Sequence, residues 1–122
     1  PDNAMALNAL GYTLADMNVT ERLDEAREMI ERAHELDPGN PAILDSLGWV
    51  HFRLGDPERA LAWLERAYAA MPDQEIAAHL IEVLWALERH AEARERLAEA
   101  LERFDERPLI DTLLRRIPAL AP

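Results

Sequence analysis

One short phrase recurs three times along this chain, and that self-similarity limits the fold more than any other feature. Pro1-Asp2-Asn3, Pro38-Gly39-Asn40 and Pro72-Asp73-Gln74 are proline-containing junctions spaced 37 and then 34 residues apart. The stretches between them match as well. Leu10-Gly11 corresponds to Leu47-Gly48 and to Leu80-Ile81. Further on, Ala26-x3-Ile30-x2-Ala33 corresponds to Ala60-x3-Leu64-x2-Ala67 and to Ala93-x3-Leu97-x2-Ala100. From the Gly48 or Ile81 position to the next matched Ala is 12 residues, but from Gly11 to Ala26 it is 15, which places an insertion near Asn18–Thr20. A period of this length marks a solenoid, in which one supersecondary unit buries its apolar face against the next.

Each unit reads as two helices and a short turn. Asn40-Pro41 and Asp56-Pro57 each set a capping side chain before a proline suited to the first helical position. Thr20 and Asp73 are placed to cap in the same way. The spacing predicts helices over 3–17, 21–36, 41–54, 57–70, 74–88 and 91–104. A seventh, over 108–117, follows from the apolar stripe Leu109, Ile110, Leu113, Leu114 and Ile117, with Pro118 to stop it.

Gly48 interrupts a helical stretch at a propensity cost of about 1 kcal/mol relative to alanine. A position that accepts this cost is one where two backbones approach closely. Gly11 repeats the arrangement, and the small residues Ala60 and Ala26 are expected opposite. Ile81 at the third such position implies wider helix spacing or a shifted angle there. Gly55 plays a different part and ends its helix.

The units resemble tetratricopeptide repeats, whose pattern runs W-x2-L-G-x2-Y, then A-x3-F, then P. The second unit matches as Leu44-x2-Leu47-Gly48-x2-His51, Ala60-x3-Leu64 and Pro72. The first matches as Leu7-x2-Leu10-Gly11-x2-Leu14, Ala26-x3-Ile30 and Pro38. The third departs, with Ala77 for the large residue, Ile81 for the glycine and Asp105 for the proline. The resemblance implies an all-α, right-handed superhelix (an α-solenoid) of three helix-turn-helix repeats, 4–40, 41–73 and 74–107. A capping helix over 108–117 would close its C-terminal end. Pro1-Asp2-Asn3 reads as the tail of a preceding unit, so the array is expected to be a fragment of a longer protein.

Family members bind peptides or partner domains on the concave face. Carried over by position, that face holds Met5, Asn8, Tyr12 and Asp16, then Asp45, Trp49, Phe52 and Arg53, then Glu75, Glu82 and Trp85. Trp49 has two readings, an interhelix filler or a partly exposed anchor, since Trp and Tyr are enriched at binding hot spots. Trp63 and Tyr68 belong to second helices and read as core or convex surface. A clamp for a C-terminal carboxylate, known in some members, is not expected. The relevant places hold Asn8, Tyr12, Ser46, Glu75 and His79, and Glu75 would repel a carboxylate.

The stretches ALNALGYTLAD, NPAILDSLGWV and PDQEIAAHLIEVLWAL are similar to the C-terminal repeats of bacterial tetratricopeptide lipoproteins. That resemblance implies the periplasmic side of the outer membrane and a role as adaptor for a C-terminal processing protease. Two other functions stay open. One is stiffening or self-association of a longer superhelix through the uncapped N-terminal helix, with Met5, Leu7 and Leu10 as contacts. The other is substrate selection for an upstream enzyme domain.

Composition narrows the rest. The net charge is −11, so nucleic acid, which calls for a basic patch, is not an expected partner. The acidity reads either as solubility or as complementarity to a basic partner. The absence of Cys removes disulfides and thiolate metal sites. No apolar run reaches the roughly 18 residues of a membrane span. Glu75, His79 and Glu82 share one helix at three- and four-residue spacing, which can gather metal ligands, but a His flanked by Glu there reads as solvated. No phosphate loop, nucleophile motif or paired-acid arrangement is present, so neither an enzyme nor a cofactor is expected. Glu28/Arg32, Glu92/Arg96 and Glu99/Arg103 have the favourable i,i+4 order of solvated helix faces.

Overall fold

The caps set the helix starts. In the computed structural model, which describes residues 3–17 and 20–122, the Asn3 side chain accepts from Ala6 N–H at 3.0 Å and starts α1, Ala4–Asp16. Asn40 accepts from Ala42 N–H before α3, Pro41–Arg53. Asp56 accepts from Arg59 N–H before α4, Pro57–Ala70, and Asp73 from Ile76 N–H before α5, Gln74–Ala86. Each bond satisfies one amide that the helix geometry leaves without a partner. Thr20 does not cap. Thr20–Arg22 forms a 3-10 turn that leads into α2, Leu23–Leu36, which has no side-chain cap. Asn18 and Val19, where most of the expected insertion falls, lie outside the described residues, as do Pro1 and Asp2. The last helices are α6, His90–Arg103, and α7, Pro108–Arg116.

Among the described residues the chain is all-helical. Consecutive helices pair as α1 with α2, α3 with α4 and α5 with α6, and α3 packs against α1 and α5 on its two sides. The alanine motif is the buried seam of the stack. Ala26, Ile30, Ala33, Ala60, Leu64, Ala67, Ala93 and Ala100 have no exposed surface. The interior glycines sit where the pairs come closest. A Cβ built on Gly48 would lie 2.5 Å from Leu64 Cγ and 3.2 Å from the Ala60 carbonyl oxygen. On Gly11 it would lie 2.7 Å from Ile30 Cγ1. The obstruction is therefore a large side chain one turn beyond each alanine as much as the alanine itself. At the third position the fully buried Ile81 fills this space, and α5 and α6 share fewer close backbone approaches than the other pairs.

Two helices end with one motif. Gly55 (φ 87°) donates to Phe52 O, and Asp56 N–H donates to His51 O. Glu88 (φ 61°) donates to Trp85 O, and Arg89 N–H to Leu84 O. Glycine is at ease in that left-handed conformation, whereas Glu88 is strained by its Cβ. The last helix is held from a distance. Gln74 Oε1 accepts from Leu109 N–H at 2.7 Å, and Gln74 Nε2 donates to Glu106 O at 3.1 Å. One side chain at the start of α5 thus caps α7 and fixes it across the edge of the concave face.

Candidate functional site: the concave recess

The first helix of each pair and α7 enclose a recess of about 570 Å³. Tyr12 and Asp16 come from α1, Trp49 and Arg53 from α3, and Glu75, Ala78, His79 and Glu82 from α5. Leu109, Thr112, Leu113 and Arg116 of α7 form the remaining wall.

A polar chain crosses its floor and joins three helices. His79 Nδ1–H donates to Asp45 Oδ1 at 2.8 Å, and both residues are buried. His79 Nε2 lies 3.4 Å from the Tyr12 hydroxyl, which makes a long donor contact of 3.5 Å to Glu75 Oε2. The imidazole also stacks on Trp49, with centroids 4.1 Å apart and planes 19° from parallel. Trp49 Nε1–H donates to Asp16 Oδ1 at 3.2 Å, and Arg53 Nε–H donates to Ala15 O at 3.1 Å. Arg116 forms a fork on Glu82, with contacts of 2.7 and 3.2 Å.

The charges follow from this geometry. Burial disfavours the His79 cation, but the bond to Asp45, with the negative charges of Asp45, Glu75 and Glu82, outweighs it and raises the pKa. Protonated, the ring would donate from both nitrogens, to Asp45 and to the Tyr12 oxygen. Burial also raises Glu75, and the neighbouring Asp45 carboxylate adds to the shift. Tyr12 is raised far above the ordinary phenol by burial and then by Glu75, Asp16 and Asp45.

Of the expected concave residues, the structure brings Tyr12, Asp16, Trp49, Arg53, Glu75 and Glu82 together around the recess. It places the others elsewhere. Met5 is an exposed residue against the Asn40 amide, and Asn8 is buried with its Oδ1 unpaired. Asp45 lies beneath the recess, 3% exposed, because α3 is central and has α1 on one side and α5 on the other. Phe52 packs beside Trp49 with ring centroids 5.3 Å apart. Trp85 faces away from the recess. It stacks on His90 of α6 at 3.9 Å, with the Arg94 guanidinium 5.3 Å from its centroid. The recess-lining stripe of α5 runs Glu75, Ala78, His79, Glu82, and Trp85 stands at its margin, about 60° round the helix from Glu82.

Trp49 is only 6% exposed, so its structural role is the interhelix one, with an edge at the recess. His79, expected to be solvated, is instead the centre of the floor. Both of its ring nitrogens have partners, and among the described residues no three acidic or histidine side chains converge as a metal site would require. The α7 wall also went unread in the sequence. Its one visible signal was the apolar stripe, of which Leu109 and Leu113 reach the recess, but nothing in that stripe marks Thr112 and Arg116 as their neighbours on the wall. Of the three expected i,i+4 pairs, Glu99/Arg103 approaches to 3.8 Å, whereas Glu92 is held by Arg89 and Arg96 lies over Tyr68.

Comparison with known proteins agrees with this geometry. Two models of the tetratricopeptide repeat match residues 2–73 and 52–117. A TPR repeat-containing protein of Pseudomonas aeruginosa is 59% identical over 80 residues. That match covers 66% of this chain but 13% of the relative, so the chain spans about an eighth of that protein's length. A thermophilic TPR protein of Thermus thermophilus is similar at a TM-score of 0.71 and 26% identity, over 83% of this chain and 50% of that one. The first TPR of Spaghetti (RPAP3), bound to an HSP90 peptide, gives 0.77 at 21% identity over 95% and 90%. The Yersinia enterocolitica type III secretion chaperone SycD, in complex with a peptide of the translocator YopD, gives 0.78 at 18% identity over 98% and 90%. Below a quarter identity such likeness concerns the fold alone. With family models over most of its length and the interior glycines seated where two helices touch, this chain belongs to the tetratricopeptide repeat family.

Proposed function

We propose that this chain is a non-catalytic scaffold whose concave face holds a partner protein or peptide. The observation that carries this reading is the recess of about 570 Å³, to which α1, α3, α5 and α7 all contribute, so that it exists only in the assembled stack. Its walls set the apolar Trp49, Ala78, Leu109 and Leu113 among a larger number of polar and charged side chains, a lining suited to a polar or charged segment. The similar folds that hold an HSP90 peptide and a YopD peptide support the reading by analogy of fold. The partner we favour is a C-terminal processing protease, with the chain as its adaptor on the periplasmic side of the outer membrane. The support is the lipoprotein-like wording of the repeats.

The test is retention of the purified protease on the immobilised chain. Thr112→Trp puts bulk into the recess from an exposed position on α7, and Ala62→Trp adds the same bulk at an exposed position of α4 outside it. Loss with Thr112→Trp and retention with Ala62→Trp is the expected result. Retention by both would remove the concave face from the interaction, and no retention by the native chain would remove the protease.

A second reading rests on α1. Met5 and Leu10 of α1 and Met17 at its end are 49%, 51% and 60% exposed, apolar side chains available to another helix pair or another copy of the chain. Light scattering that reports a monomer at every concentration would count against self-association.

A further inference from the structure

The recess holds more anions than its cations neutralise. Arg116 is committed to Glu82 by the two-pronged contact, and Arg53 spends its Nε–H on the Ala15 carbonyl while its guanidinium lies 5.9 Å from the Trp49 centroid. Asp45 is matched by His79. Asp16 and Glu75 are left without a direct ion pair, although the Arg116 charge reaches Asp16 and the His79 ring reaches Glu75 electrostatically. Asp16 accepts only from the Trp49 indole and Glu75 only from the distant Tyr12 hydroxyl, and among the described residues neither forms an ion pair. The Tyr12 ring stands between them, flanked by acids from three helices.

We infer that the recess takes a basic side chain, an arginine or lysine carried on the bound segment, with its cation beside Tyr12 and between Asp16 and Glu75. This rests on the concave face being the binding face. A cation there would complete two charge-assisted pairs in a recess partly shielded from water, where such contacts are stronger than on an open surface. Tyr12 adds an aromatic wall against which a guanidinium or ammonium can lie. The upward shift of Glu75 is caused by burial and by Asp45, and the His79 charge offsets it only in part. An acidic side chain would face Asp16 and Glu75, would reach Arg116 only by displacing Glu82, and would meet Arg53 only where its Nε–H is already held by the Ala15 carbonyl. The chain's net charge of −11 draws a basic segment in over a longer range.

The experiment uses three capped pentapeptides that differ only at the centre, which is arginine, citrulline or glutamate. Citrulline keeps the shape of arginine without its charge. Binding is followed by the indole N–H resonance of Trp49, whose acceptor Asp16 lines the recess. The arginine peptide should bind about tenfold more tightly than the citrulline peptide, the size expected of one charge-assisted pair. The glutamate peptide should bind most weakly. Asp16→Asn with Glu75→Gln keeps both oxygen acceptors and should remove the preference for arginine, and thermal melting checks that the pair of changes leaves the fold intact. Equal affinity for arginine and citrulline, or tighter binding of glutamate, would overturn the inference while leaving concave binding in place. No binding of any peptide would overturn it too, and if Thr112→Trp also left protease retention unchanged, the concave reading would fail with it.

Discussion

Gly48→Ala tests whether the repeat is held together as described. Alanine at an interior helix position should gain about 1 kcal/mol over glycine from propensity alone. Here the new methyl would lie 2.5 Å from Leu64 Cγ, 2.8 Å from Leu64 Cδ2 and 3.2 Å from the Ala60 oxygen. Cγ is the branch point of a fully buried leucine, so it cannot swing clear, and the Ala60 contact is backbone. The remaining response is for α3 and α4 to separate, which loosens the seam around Ala60, Leu64 and Ala67. Overpacking of this kind costs about 1–3 kcal/mol, and the short distance argues for the upper end, so the net loss should be about 2 kcal/mol. Urea denaturation gives the number, with Ala9→Gly on the exposed face of α1 as the propensity reference. A double-mutant cycle isolates the clash. Leu64→Ala alone should cost about 2–5 kcal/mol through its cavity, and with Gly48→Ala in the same chain the two costs should fall short of their sum by over ~1 kcal/mol. A neutral or stabilising Gly48→Ala, or strict additivity with Leu64→Ala, would refute the close-approach argument.

Other outcomes follow from the same structure. Glu88→Gly should raise stability by about 1 kcal/mol, since it relieves a left-handed side-chain conformation, and Gly55→Ala should cost about 1–2 kcal/mol although nothing crowds its Cβ; thermal melts decide both. Gln74→Ala should cost about 1 kcal/mol by uncapping α7, and faster amide exchange at Leu109 should report it. The raised pKa of His79 means that the folded state binds its proton more tightly than the unfolded state does. Its contribution is therefore complete below about pH 6.5 and fades as the pH rises through the folded value, so the stability difference between native chain and His79→Gln should shrink over that range. His51, lowered by burial, has the opposite slope, so the difference between the two chains is the measurement and not the native profile alone.

The fold was legible because it is local and repeated. The alanine motif, the capping residues Asn40, Asp56 and Asp73, and the two interior glycines each report a contact made within one helix pair or its turn, over a few tens of residues. Repetition lets one unit explain another. Gly55 identifies the turn at Glu88 by position even though the residue there is a poor fit. Thr20 misled because a capping side chain is defined by the backbone it follows, and a 3-10 turn precedes α2 in place of an extended residue. Gln74 could not be foreseen as a cap, since the helix it serves begins more than thirty positions later, about one period of the array.

The recess was legible only in part, and the reason is the same locality seen from the other side. A periodic reading of α5 puts Glu75, His79 and Glu82 on one stripe but cannot say what faces that stripe. His79 reads as solvated because its sequence neighbours are acids, yet it is buried against Asp45, Tyr12 and Trp49, contributed by two other helices. Trp85 reads as a groove residue by its position one turn beyond Glu82, yet at the margin of that stripe it is taken up by His90 and Arg94. Residues that serve the concave face are thus chosen by superhelical stacking, which compares positions one repeat apart, and not by the character of any single side chain. The floor chain from Asp45 through His79 to Tyr12 joins three consecutive first helices, so a change at His79 should alter the shape of the recess as well as its charge. Tightness of the stack and composition of the recess are therefore linked through one buried imidazole.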